Sequence, residues 1–278
     1  CYFPGKGGKN LNMGENLYQS EAIFPHHIDQ CAELLQAHLS EDIRDILYPE
    51  TTEDHPSHSE RLNQTDMAQP ILFAIEYALA QLLISWGIKP TMLAGHSLGE
   101  YTAACVAGAI SLDDCLKIVS MRARLMQSML PGSMIAVPLS EDEVKHYLTP
   151  QLDLATVNGP RRCVISGPDD EIQVLHDQLK SEGIEARILH TSHAYHSAMM
   201  EPMLSEFYEA LEDFEFQTPV LPIISSTNGQ PIQTLDKAYW TSQIRETVRF
   251  SDVLSQIYQH SDHIILEVGP GNTLSSFA

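Results

Sequence analysis

Among the 278 residues, the set best suited to chemistry is Gly95-His96-Ser97-Leu98-Gly99. It matches G-x-S-x-G, in which a serine occupies a sharp strand-to-helix turn with its hydroxyl lifted clear of the sheet. Bulky neighbours would clash at such a turn, which explains the flanking glycines. The helix behind the serine points its N-terminal N–H groups and positive dipole end at the reacting centre. The N–H of Leu98 is then placed to stabilise a developing oxyanion. This is the chemistry of acyl transfer through an acyl-serine. Taken alone, the pentapeptide also fits an ordinary βα turn that happens to contain serine.

Ser97 needs a base. His190, His193 and His196 recur every third residue, yet no Asp, Glu or Cys lies in that segment. Steps of three in a loop do not converge on one point, which argues against zinc and any other metal. A single histidine acting as general base is simpler. Spacing does not choose among the three, nor exclude His96, His260 or His263. A second handle is Arg122. Between Ser111 and about Leu130, residues Leu112, Cys115, Val119, Met126 and Met129 form one apolar stripe, and Arg122 falls in it while Arg124 faces out. A guanidinium facing inward needs an anion. The choices are an internal salt bridge or a bidentate clamp for a substrate carboxylate.

The surrounding elements must position these groups. Thr91 to Ala94 reads as a short strand entering Ser97, and a small-residue helix (Ala103, Ala104, Ala107, Gly108) follows at once. That is a βα unit of a mainly parallel sheet. Residues 21–39 carry a helical pattern, Thr51 to Ser59 reads as a polar loop, and Gln69-Pro70 opens a helix that Gly87 closes. From Gly132 to about His193 short alternations give the order βαββαβ. The chain ends in the strand-like HIILEVGPG. The fold class is therefore α/β. An α/β-hydrolase-like core with a mainly parallel sheet spans 1–131 and 194–278, and an inserted ferredoxin-like small subdomain spans 132–193.

Composition narrows the partners. Sixteen Lys plus Arg against 37 Asp plus Glu give a net charge of −21. That sign argues against nucleic acid and anionic membrane. With 43% hydrophobic residues there is ample core material. Five scattered cysteines without a C-x-x-C pattern fit a reducing, cytoplasmic setting. The apolar stretch Ile71 to Ile88 is broken by Glu76 and Gln81 and reads as a buried helix. No secretory leader is evident at Cys1-Tyr2-Phe3-Pro4-Gly5. Without an initial Met, and with no tail at Ser276-Phe277-Ala278, the chain reads as a piece of a longer polypeptide.

Taken in order, FPGKG, AQP (68–70), GHSLGE (95–100), MRARLMQ (121–127), SHAYHS (192–197), YWTSQIRETVRF (239–250) and EVGPG (267–271) resemble a known family. It is the acyltransferase domain of modular type I polyketide synthases, related to malonyl-CoA:acyl-carrier-protein transacylases. The resemblance implies Ser97 as nucleophile, His196 as its base, and Arg122 as the clamp for a malonyl carboxylate. It implies that the backbone carbonyl of Gln243 orients His196 in place of a triad acid. Gln69 would line the pocket, with Tyr195 and His96 beside the substrate. The N–H groups of Leu98 and Lys6 would form the oxyanion hole, although the family normally has Gln where Lys6 stands.

The implied reaction loads a malonyl-type extender unit from a CoA or carrier-protein thioester onto the phosphopantetheine thiol of an acyl carrier protein. It uses no cofactor beyond that acyl thioester. Partners would be the carrier protein, the acyl-CoA and other synthase domains, with Arg161, Arg162, Lys180 and Arg187 as a basic docking patch. Leu98 and HAYH resemble malonyl-selective members. Tyr195 in place of Phe leaves a polar α-substituted unit such as hydroxymalonyl as the alternative, since a buried phenol wants a partner. Rivals of another class are a serine thioesterase or esterase using Asp252 or Asp262 with His263, and a non-catalytic docking domain.

Overall fold

The computed structural model describes residues 1–4, 9–49, 51, 55–259 and 264–278. In chain order the strands are β1 (Tyr2–Phe3), β2 (Leu93–Gly95), β3 (Ser133–Val137), β4 (Asp153–Gly159), β5 (Arg162–Gly167), β6 (Arg187–Ile188) and β7 (Ile223–Ile224). The helices are α1 (Glu15–Ser20), α2 (Ile23–Leu35), α3 (Ile43–Leu47), α4 (His55–Asn63), α5 (Thr65–Ser85), α6 (Gly99–Val106), α7 (Leu112–Gln127), α8 (Glu141–Val144), α9 (Asp169–Ser181), α10 (Leu204–Ala210), α11 (Lys237–Arg245) and α12 (Phe250–Tyr258).

Two sheets organise the molecule. Strands β1, β2 and β7 form a parallel sheet in the order β1-β2-β7. The terminal segment read as a strand contributes only a parallel bridge, Glu267 beside Tyr2, with 260–263 outside the described residues. Helices α2, α5, α6 and α7 supply about half of the large core around this sheet, including Phe24, Ile28, Ile71, Phe73, Tyr101 and Leu116. The other sheet is antiparallel in the order β4-β5-β3-β6, with α8 and α9 linking its strands. This is the split-βαβ arrangement. It has a core of its own that includes Ile135, Val144, Ile165, Ile172 and Leu179.

Helix α5 begins at Thr65, five residues before the start read from Pro70. The Thr65 N–H, an orphan donor at a helix start, is satisfied by Gln127 Oε1 at 2.9 Å. A partner 62 residues away does not register in local sequence. Pro70 consequently lies inside the helix, buried beside Gln69. By length and composition α5 could cross a membrane, yet 72% of its most apolar window is buried within this protein, so it serves as a core helix. The stretch read as a polar loop contains α4, with 52–54 outside the described residues. Its composition is polar because it inserts only Leu62 into the core, while Arg61 bridges Glu41 and Asp66.

Candidate active site

The turn at Ser97 is built by close packing. A Cβ at Gly95 would lie 2.0 Å from the Glu100 nitrogen, and one at Gly99 would lie 2.3 Å from the Phe3 oxygen. Neither position admits a side chain. Between them Ser97 is held at φ 54, in the left-handed region. That conformation costs a non-glycine residue about 1–3 kcal/mol and persists only where the surroundings impose it. His196 also sits at φ 57. The nucleophile and base candidates thus share a strained backbone, as functional sites often do.

Ser97 Oγ lies 2.8 Å from His196 Nε2. His196 Nδ1 lies 2.9 Å from the Glu246 carbonyl, the C-cap of α11, so that ring nitrogen is the donor. Nε2 is left to accept the serine proton. The Gln243 backbone, expected to do this work, also raises the His196 pKa, alongside Glu246. Residue 246 has turned extended at the helix end, which frees its carbonyl for the imidazole. Burial, then the charges of Arg122 and His96, lower the His196 pKa from 6.5 to about 3. The imidazole is neutral at pH 7.

Gln243 acts through its side chain. Its Nε2 donates to the Ser97 carbonyl at 2.8 Å and to Glu100 Oε2 at 2.8 Å. Glu100 is fully buried and also accepts from the Ser226 N–H, the Ser226 hydroxyl and the Tyr239 hydroxyl. Burial raises its pKa, and these hydrogen bonds oppose the rise.

Arg122 is 2% exposed on α7. It donates to Gln69 Oε1 through Nη1 and to Ser97 Oγ through Nη2 at 3.2 Å. Its carbon centre lies 5.4 Å from the Tyr101 ring centroid. It makes no ion pair among the described residues, and its Nε has no partner there. Burial lowers its pKa. Among the described residues the internal salt bridge considered from the sequence is not formed, whereas Arg124 faces solvent as expected. Gln69 in turn donates to Thr65 Oγ1 at 2.9 Å.

Tyr195 is buried, with the Thr65 and Ser192 side chains beside its phenol. His96 reaches across to the small sheet, with Nε2 2.9 Å from Asn158 Oδ1 on β4. Leu98 is buried at the N-cap of α6. Lys6 lies outside the described residues. Of the three regularly spaced histidines, His190 is exposed, and His193 bonds Ser192 through Nδ1. Only His196 reaches Ser97. Among the alternative triad residues, Asp252 lies beside Arg249, and Asp262, His260 and His263 are outside the described residues.

A cleft of about 860 Å³ separates the two sheets, with Gln69, His96, Ser97, Arg122, Tyr195 and His196 in its wall. Arg161, Arg162 and Arg187 line it from the side of the antiparallel sheet, whereas Lys180 does not. Sequence reasoning missed Glu100, Thr65, Asn158 and Glu246. Asn158 carried a signal, as a polar residue closing an apolar run. Glu246 carried none, because only its backbone is used.

A serine on a left-handed turn, a neutral histidine behind it and a helix N-terminus beneath it define a serine acyl-transfer site on an α/β scaffold. Within that class, the chain belongs to the acyl transferase domain family, whose model matches residues 2–277. It is 38% identical over 279 residues to a phenolphthiocerol/phthiocerol polyketide synthase component of Mycobacterium tuberculosis, a match covering 99% of this chain and 18% of that protein. It thus spans less than a fifth of that relative. The acyltransferase domain from the second module of the salinomycin polyketide synthase superimposes with a TM-score of 0.91 at 35% identity, over 99% of this chain and 64% of that one. FabD from Acinetobacter baumannii gives 0.89 at 28%, over 100% and 88%.

Proposed function

We propose that this domain loads a malonyl-type α-carboxyacyl unit from a thioester onto Ser97 and passes it to the phosphopantetheine thiol of an acyl carrier protein. The observation that carries this reading is Arg122, a buried guanidinium with no carboxylate partner among the described residues, bonded to the nucleophile candidate itself. A cation so placed is matched by a substrate that brings its own free carboxylate.

In the proposed cycle, the Ser97 proton moves to His196 Nε2 as Oγ attacks the thioester carbonyl carbon. The oxyanion is held by the Leu98 N–H and, by family resemblance, that of Lys6. The carbon–sulfur bond breaks, and His196 returns the proton to the departing thiolate. The carrier thiol then runs the sequence in reverse: it gives its proton to His196, attacks the acyl-serine carbonyl, and Ser97 recovers its hydroxyl proton. The Glu246 carbonyl keeps His196 in the tautomer this needs. No cofactor enters the cycle.

Tyr195 is compatible with a malonyl unit, because the Thr65 and Ser192 side chains beside its phenol offer it polar neighbours without a polar α-substituent. Carrier docking is assigned to Arg161, Arg162 and Arg187, which line the cleft in a chain of net charge −21, within a cytoplasmic synthase. The test is intact-protein mass spectrometry with malonyl, methylmalonyl, acetyl and hydroxymalonyl groups, each offered on CoA and on a carrier protein. A dominant malonyl adduct that a second carrier removes supports the reading. A dominant hydroxymalonyl adduct replaces the substrate, and hydrolysis without transfer replaces the reaction class.

A further inference from the structure

Among the described residues the histidine of this site has no carboxylate partner, yet a fully buried carboxylate lies one helical turn beyond the serine. Glu100 receives hydrogen bonds from the Ser226 N–H at 3.0 Å, the Ser226 hydroxyl at 2.6 Å, the Tyr239 hydroxyl at 2.6 Å and the Gln243 amide at 2.8 Å. Tyr239 and Gln243 are four residues apart on α11 and therefore share one helical face. That face is tied at two points to Glu100 on α6, the helix that follows the serine turn. The Gln243 amide also donates to the Ser97 carbonyl, at the strained turn. Three residues further along, α11 ends in the Glu246 carbonyl that holds His196.

We propose that Glu100 is the positioning carboxylate of this site, holding Ser97 and His196 in register by clamping α11 to the serine turn rather than by touching the histidine. The inference rests on Ser97 and His196 acting as nucleophile and base, and is independent of which acyl group is used. Its geometry distinguishes it from general core packing. An isosteric amide at 100 keeps the volume but turns part of an all-acceptor group into a donor, facing donors from Gln243 and Ser226. Misplacing a serine–histidine pair by a fraction of an ångström degrades the reaction far more than binding.

The test is labelling of Ser97 by a fluorophosphonate, which needs the activated serine but no acyl-binding pocket, in wild type, Glu100→Gln and Tyr239→Phe. Thermal melting checks that each variant is folded at the assay temperature. For Glu100→Gln the labelling rate is expected to fall about tenfold or more with KM for the malonyl thioester little changed. Tyr239→Phe, which removes one tether and keeps the carboxylate, should fall between it and wild type. A structural role alone would lower the melting temperature and leave the labelling rate of the folded protein untouched. That outcome overturns the proposal. If Glu100→Gln does not fold, a wild-type rate in Tyr239→Phe overturns it instead. Wild type that resists labelling refutes the Ser97–His196 reading itself, a result separable from failure of the clamp.

Discussion

The two walls of the cleft solve different problems. The wall on the parallel sheet contributes short strands, left-handed serine and histidine residues, and buried polar groups tied to one another across long sequence separations. The opposite wall is an antiparallel sheet, with register shifts between β4 and β5, on an apolar core with exposed arginines at its rim. The first sets chemistry at the cost of strain. The second closes the cleft and presents charge. If that division holds, substitutions in the first wall should change which acyl group reacts, and those in the second should change stability or carrier docking without changing acyl preference.

The largest effect is expected from Ser97→Ala, which should abolish the acyl adduct in mass spectra while leaving the melting temperature close to wild type. Next, Leu179→Ala empties a fully buried site in the small core and should cost about 2–5 kcal/mol in denaturant unfolding. Its relative preference for malonyl over acetyl should not move. A changed preference would erase the distinction between the walls.

The site histidine gives a sharper pH prediction. Because His196 is depressed from 6.5 to about 3, the acylation rate should show no inflection near pH 6.5. The unfolded chain binds a proton at this residue between those pH values and the folded chain does not. Its contribution to stability is therefore present above about 6.5 and is lost as pH falls toward 3. Acid melting of wild type against His196→Gln should reveal that difference.

Two buried glutamates test the same contrast within one wall. Glu100 has a full set of donors, whereas among the described residues Glu76 receives only Thr102 at 2.7 Å and its Oε1 has no partner. Burial holds the Glu76 pKa well above 4.5. Folding then favours the protonated acid, and stability falls as pH rises above the ordinary carboxylate value. Glu76→Gln should flatten the decline in melting temperature toward alkaline pH, with acylation retained. The smallest effect is expected at the rim: Arg187→Glu should slow transfer to an acidic carrier a few-fold, most at low salt. The rate of acylation from CoA should change less.

How much of this was legible depended on sequence distance. The serine turn could be read because its strand, glycines and helix are contiguous. Arg122 stood out because its charge interrupts an apolar stripe, and the βαββαβ order because regular elements alternate. His196 was one histidine among several until the family resemblance singled it out. Glu100 was quoted within GHSLGE, but an acid in the first turn of a helix ordinarily reads as a solvated partner for the dipole. Its donors come from residues 126 to 143 positions away. The Glu246 carbonyl leaves no trace in residue type. Helix α4 was hidden by its polarity, and the start of α5 by a cap supplied from Gln127.

The most direct test of the account is a competition between malonyl and acetyl thioesters for Ser97 in wild type and Arg122→Ala, read as adduct masses at short times. A malonyl adduct in wild type, replaced by acetyl in the variant, is the predicted result. Malonyl loading that survives the loss of Arg122 would contradict the central claim that a buried guanidinium selects the acyl group by its free carboxylate.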